Sequence, residues 1–129
     1  MNLGPIQTRW VESLEAHPER QGKGRLGIRD LATGEYRACC LGEGGLIAGV
    51  CKWDGEYIKT ISNSPFYLSE EAYAALGLRN QLGAFISGPH EVGSVTVNSL
   101  ADANDEGATW SEIAAFIRAN PEEIFKESV

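Results

Sequence analysis

Apolar residues near the C-terminal end fall at helical spacing. Ile113, Phe116 and Ile117 follow the i, i+3, i+4 pattern of one buried stripe, with polar residues between them. Thr109 stands three residues before Glu112, the spacing of a capping box in which each side chain satisfies a backbone N–H left free at the helix start. Asn120-Pro121 removes the means of continuing. The pattern predicts a helix over 109–119 with Ile113, Phe116 and Ile117 turned to a core. Ile6, Trp10 and Leu14, spaced by four and set between Gly4-Pro5 and His17-Pro18, predict a first helix closing near Ala16. Ser69, the acidic pair Glu70-Glu71 and Gly77 predict a short capped helix over 70–76.

Between these helices the pattern alternates. Gly22 and Gly24 precede Arg25 to Arg29, a predicted strand that turns at Asp30 to Gly34 and returns through Glu35 to Cys39. Cys39 and Cys40, adjacent on that strand, are expected to project to opposite faces. Over 43–59 the pattern is ambiguous. Leu46, Ile47 and Val50 suit a short helix, whereas Asp54-Gly55 is a strong hairpin signal, so a hairpin after a broken helical turn is favoured. Gly93 to Val97 reads as a further strand, paired with Ala84 to Ser87 through Gly88-Pro89. Asp102 to Gly107 reads as a polar turn feeding Thr109. The expected class is α+β: one domain spanning 1–129, with antiparallel hairpins, an N-terminal helix, a short middle helix and a C-terminal docking helix.

A chain of 129 residues, 43% hydrophobic, suits one domain able to fold without staples. Its 18 acidic against 11 basic residues give a net charge of -7, which argues against duplex nucleic acid as a partner. With no basic n-region leading into an apolar run and no transmembrane-length apolar stretch, neither export nor membrane insertion is expected, and a cytoplasmic location follows. Three cysteines, Cys39, Cys40 and Cys51, lack a C-x-x-C pair and are expected to be reduced thiols.

Candidate chemistry is sparse. A nucleophilic cysteine needs a base, and His17 and His90 each sit beside a proline in an expected loop, so a small Cys-dependent hydrolase ranks last. Asp102, Asn104 and Glu106-Gly107 resemble the start of a calcium loop, but position 12, which needs a bidentate glutamate, is Ile113. No metal, cofactor or catalytic residue is therefore expected. Charge offers the best lead. Arg20, Lys23, Arg25, Arg29 and Arg37 cluster against Asp30 and Glu35, while the segment after Ala101 is rich in glutamate. Gln21-Gly22-Lys23-Gly24 lacks the P-loop frame, yet an arginine-rich, glycine-bounded hairpin suits a small anion. The expected ligand site is Arg25, Arg29 and Arg37, with Phe85, Asn104 and Asp105 orienting the ligand.

Several of these segments together carry a resemblance. Trp10 to Leu14, Gln21 to Leu26, Cys39-Cys40-Leu41-Gly42, Leu68 to Glu71 with Leu76-Gly77-Leu78, and Leu100 to Ile117 resemble, in this order, a family of small accessory proteins of tailed bacteriophages and prophages. The family reads CCLGVL where this chain reads CCLGEGGL, and LNDSGxSFxEIAxxI where it has ADANDEGATWSEIAAFI. The resemblance implies a phage protein acting in a bacterial cytoplasm and brings no established activity. By analogy with phage sponge proteins, the leading expectation is a non-enzymatic protein that sequesters a small anionic, nucleotide-type host immune signal, working as a homo-oligomer with its pocket between subunits. The alternative is an inhibitor that blocks a host or phage protein through its acidic C-terminal surface.

Overall fold

The computed structural model describes residues 1–59 and 64–129. Helix α1 (Pro5–Ala16) starts at Gly4, whose N–H donates to Gln7 Oε1 at 2.9 Å. Its apolar stripe is the expected one, with Trp10 and Leu14 fully buried. A short 3-10 turn (Pro18–Arg20) leads to strands β1 (Gly27–Arg29) and β2 (Tyr36–Ala38), and the chain continues through α2 (Cys40–Ile47), β3 (Lys52–Asp54) and β4 (Tyr57–Lys59). The four strands form one antiparallel sheet in the order β2-β1-β4-β3. After α3 (Glu70–Ala75) comes a second hairpin, β5 (His90–Val92) with β6 (Val95–Val97), and then α4 (Leu100–Glu106), α5 (Trp110–Ala119) and α6 (Pro121–Ile124). The class is α+β, and one continuous core built on Trp10, Leu14, Ile113, Ile117, Trp110 and Phe125 joins helices and sheet. No helix of the described residues is long and apolar enough to cross a membrane.

Local signals place most of the helix ends. Thr109 and Glu112 make the reciprocal capping box, with Glu112 N donating to Thr109 Oγ1 (3.1 Å) and Thr109 N donating to Glu112 Oε1 (2.9 Å). Ile113, Phe116 and Ile117 are buried as expected. Ser69 Oγ accepts from Ala72 N at the start of α3. Gly77 follows α3 at φ +74°, a conformation costly for any residue with a Cβ.

Four expectations are corrected. Asp102 to Gly107 is not a turn: α4 runs through it, begun by Ser99 Oγ accepting from Asp102 N and ended by Gly107 at φ +112°. Cys39 and Cys40 do not lie on a strand. Cys39 caps α2, its Sγ accepting from Gly42 N, and Cys40 is the first helical residue. The expected broken turn before the β3–β4 hairpin is an eight-residue helix despite Gly42, Gly44 and Gly45, and packing there admits no side chain: a Cβ on Gly42 would lie 1.8 Å from the Leu26 carbonyl oxygen. Finally, β6 pairs with His90–Val92 across Gly93-Ser94, while Ala84 makes only an isolated bridge to Ser99. The nearer two-residue turn closes the smaller loop.

Candidate ligand-binding face

The four-stranded sheet has two unlike sides. Buried Gly27, Ala38 and Ile58 face the core, so by the period of two Ile28, Arg37, Tyr57, Lys52, Asp54 and Lys59 face away from it. Arg37, Ile28, Tyr57 and Asp54 form a row straight across the strands. Ile28 is 44% exposed on this outer side. Arg25, just before β1, lies with its guanidinium 4.6 Å from the Tyr57 ring centroid and 5.2 Å from that of Phe66. Stacking occupies the faces of the guanidinium and leaves its N–H edge directed elsewhere. Lys59 pairs with Asp54 at 2.9 Å, whereas among the described residues Arg25, Arg37 and Lys52 have no carboxylate within ion-pair distance. A chain of net charge -7 thus carries a locally positive, aromatic sheet face.

On the inner side the rings of Tyr36 on β2 and Trp53 on β3, from the two edge strands, meet edge to face at 5.3 Å between centroids. Arg29 belongs to this side, lying 5.2 Å from the Trp53 ring centroid and donating from Nε to the Gly55 carbonyl at 2.8 Å. Behind it, buried Glu43 accepts from Tyr36 Oη (2.7 Å) and Ser13 Oγ (2.8 Å), with Arg20 3.9 Å away. Burial, reinforced by the Glu43 carboxylate, holds the Tyr36 phenol well above its ordinary range. This network is internally matched.

Beside Arg25 a cleft of about 230 Å³ lies between α4, the start of α2 and the segments around Gly24-Arg25, Phe66-Tyr67 and Gln81-Leu82. Cys39, Leu41 and Leu82 line it, Phe66 and Tyr67 flank it at 49% and 54% exposure, and Gln81, Asp102 and Asp105 supply polar groups. A wider, open groove of about 1030 Å³ runs round the tip of the β1–β2 hairpin past Arg20, Arg29 and Arg37.

The residues singled out by sequence divide accordingly. Arg25 and Asp105 both line the cleft, and Arg37 lies on the outer sheet face. Arg29 points to the opposite side. Phe85 is buried away from them, 4.8 Å from Phe116 and 5.6 Å from His90 by ring centroids. Asn104 is fully buried and has no polar atom left for a ligand: Oδ1 accepts from Cys40 N (3.1 Å), Trp110 Nε1 (3.1 Å) and Gln21 Nε2 (3.3 Å), and Nδ2 donates to the Gly22 carbonyl (2.7 Å). Its role in the fold is that of a clasp. Tyr57, Phe66, Gln81 and Asp102 enter the site instead. Asp102 is hidden in the sequence by the turn composition of Asp102 to Gly107.

Two groupings of reactive side chains lie elsewhere. Ser87 Oγ, His90 Nε2 and Glu123 Oε1 form a closed triangle of 3.1, 2.9 and 2.7 Å, and Ser87 N also donates to Glu123. The serine and the carboxylate meet the same ring nitrogen, so the imidazole cannot relay a proton between them as a triad histidine does. The Ser87 donors, with a smaller effect of His90, hold the Glu123 carboxyl below its usual range. Cys39, Cys40 and Cys51 are free and buried. Desolvation pushes the Cys39 thiol up to about 11 and the Cys51 thiol up to about 12. Native protein at pH 8 should therefore leave a thiol reagent unreacted, and the denatured chain should consume it at all three sites. Because the unfolded thiols ionise first, their contribution to stability is complete below the ordinary thiol pKa and is lost as pH climbs toward 11–12. One thiol titrating at pH 8 in native protein would refute this. Among the described residues no three His, Cys, Asp or Glu side chains gather as a metal site.

Comparison of the chain with protein-family models, with curated proteins and with solved structures finds no match.

Proposed function

We propose that the chain is a bacteriophage-derived binding protein that holds a small anionic, nucleotide-type ligand without transforming it, and so sequesters an immune signal of the bacterial host cell. The observation that carries this reading is Arg25, clamped over Tyr57 and Phe66 between the outer sheet face and the adjoining cleft, with no carboxylate among the described residues within ion-pair distance. A guanidinium so held is pre-organised for a phosphate, and the rings beside it suit a planar base. The cleft is small, so a second copy of the chain supplying a further wall belongs to the same reading.

A thermal melt against cyclic dinucleotides, cyclic trinucleotides and ADP-ribose derivatives tests it. A true ligand at a hundred times its dissociation constant should add about 2.7 kcal/mol of stability. Arg25→Ala should abolish the shift and Arg37→Ala should weaken it. Arg29→Ala should leave it nearly unchanged, since Arg29 faces the other side. The ligand should be recovered intact after denaturation. A panel without any shift, or an Arg25→Ala protein that binds like the parent, would sink the reading. A cleaved ligand would make the protein an enzyme.

A further inference from the structure

Resting on that reading, we infer that the 230 Å³ cleft between α4 and the start of α2 takes the base of the nucleotide, and that the base is guanine. The volume and the Cys39, Leu41 and Leu82 lining suit one planar ring system, with Phe66 and Tyr67 exposed at the rim to stack on it. The polar groups then choose the ring. Asp102 sits on the cleft with no side-chain partner among the described residues, and Asp105 spends one oxygen on Gly24 N at 3.1 Å, leaving the other free. Ionised carboxylates only accept, so the edge that meets them must only donate.

Guanine alone among the common bases presents two adjacent donors, N1–H and the exocyclic N2–H₂, in the spacing a carboxylate accepts in bidentate fashion. Adenine sets a bare N1 beside its amino group, cytosine a bare N3, and uracil flanks its single N–H with two carbonyls. Each of those places a lone pair against Asp102. Gln81, on the same cleft, carries an amide that can donate to guanine O6. The two carboxylates also set the orientation, because they repel a phosphate. The phosphate is directed out of the cleft toward Arg25, which lines the cleft and stacks on Tyr57 of the positive outer face. Arg37 lies further along that face.

The test compares guanine and adenine pairs, as 5′-mononucleotides and as cyclic dinucleotides, with inosine 5′-monophosphate and ribose 5-phosphate as further probes, all by equilibrium titration. In the parent protein guanine should bind roughly tenfold or more tightly than adenine, the size expected for one bidentate base contact. Inosine, which keeps N1–H and lacks the exocyclic amine, should fall between. Asp102→Asn should collapse the guanine-to-adenine ratio toward one while ribose 5-phosphate, freed of one repelling charge, still binds at least as tightly. Gln81→Leu should weaken guanine and inosine alike and provides a second variant should the first misfold. Equal binding of guanine and adenine, a preference for adenine, or a guanine preference untouched by both substitutions would overturn the assignment while leaving nucleotide binding in place. Failure of every probe to bind, ribose 5-phosphate included, would remove both.

Discussion

Replacing Asn104 by leucine is expected to cost at least about 4 kcal/mol of stability, a large share of the 5–15 kcal/mol available to a domain. Leucine is close in size, so the loss is one of hydrogen bonding. The Cys40 amide and the Trp110 indole both give their protons to Asn104 Oδ1, and the Gly22 carbonyl accepts from its Nδ2. Each buried group left without a partner costs on the order of 1–3 kcal/mol. Three elements come loose together, since the clasp ties the start of α2, the start of α5 and the chain at Gly22 to α4. Denaturant melts read by circular dichroism measure the loss. A drop below about 1 kcal/mol would mean that water or a neighbouring side chain takes over these bonds.

The second large effect is expected from Gly42→Ala. In a free helix alanine gains about 1 kcal/mol over glycine. Here the added methyl would lie 1.8 Å from the Leu26 carbonyl oxygen, and that oxygen is fixed by the hydrogen bond it accepts from Cys39 N at 3.1 Å. A clash with a flexible side chain could be relieved by a new rotamer; a clash with held backbone must move α2 off β1. We expect a net loss of about 3 kcal/mol, the upper end of the usual range for overpacking. Gly49→Ala, where a Cβ meets open space and only the φ of +75° is strained, should cost roughly 1 kcal/mol. Equal effects at the two positions would show that α2 shifts freely.

The features legible in the chain were those whose cause lies within a few residues. A capping box, a proline stop and a two-residue turn are local agreements between neighbours, and α1, α3, α5 and the β3–β4 hairpin all rest on them, although that hairpin turns at Gly55-Glu56, one residue beyond the expected Asp54-Gly55, because Asp54 pairs with Tyr57. Misreadings arose where a distant contact decided the outcome. The α2 glycines look like helix breakers until Leu26, Trp10 and Cys51 are seen pressed against them. Asp102 to Gly107 has turn composition, and Ser99 three residues before Asp102 was the available sign that a helix begins there. For the site, the arginine cluster was visible and its division was not. Whether Arg29 and Arg37 share a side depends on the register, which sets Arg37 against Ile28 and Arg29 against Tyr36. Asn104 is misassigned because a buried amide clasp and a ligand-contacting amide look the same until Cys40, Gly22 and Gln21, 64 to 83 positions away along the chain, are brought to it.

Tryptophan environment gives the molecule an optical signature. Trp10 and Trp110 have no exposed surface, whereas Trp53, partly exposed beside the Tyr36 ring, lies under the cationic Arg29. Iodide, an anionic quencher drawn to that cation, should therefore darken the emission of one tryptophan in the native chain and of all three once the core opens. The fraction of fluorescence open to iodide thus separates events at the sheet from loss of the fold, in a single cuvette and without a label.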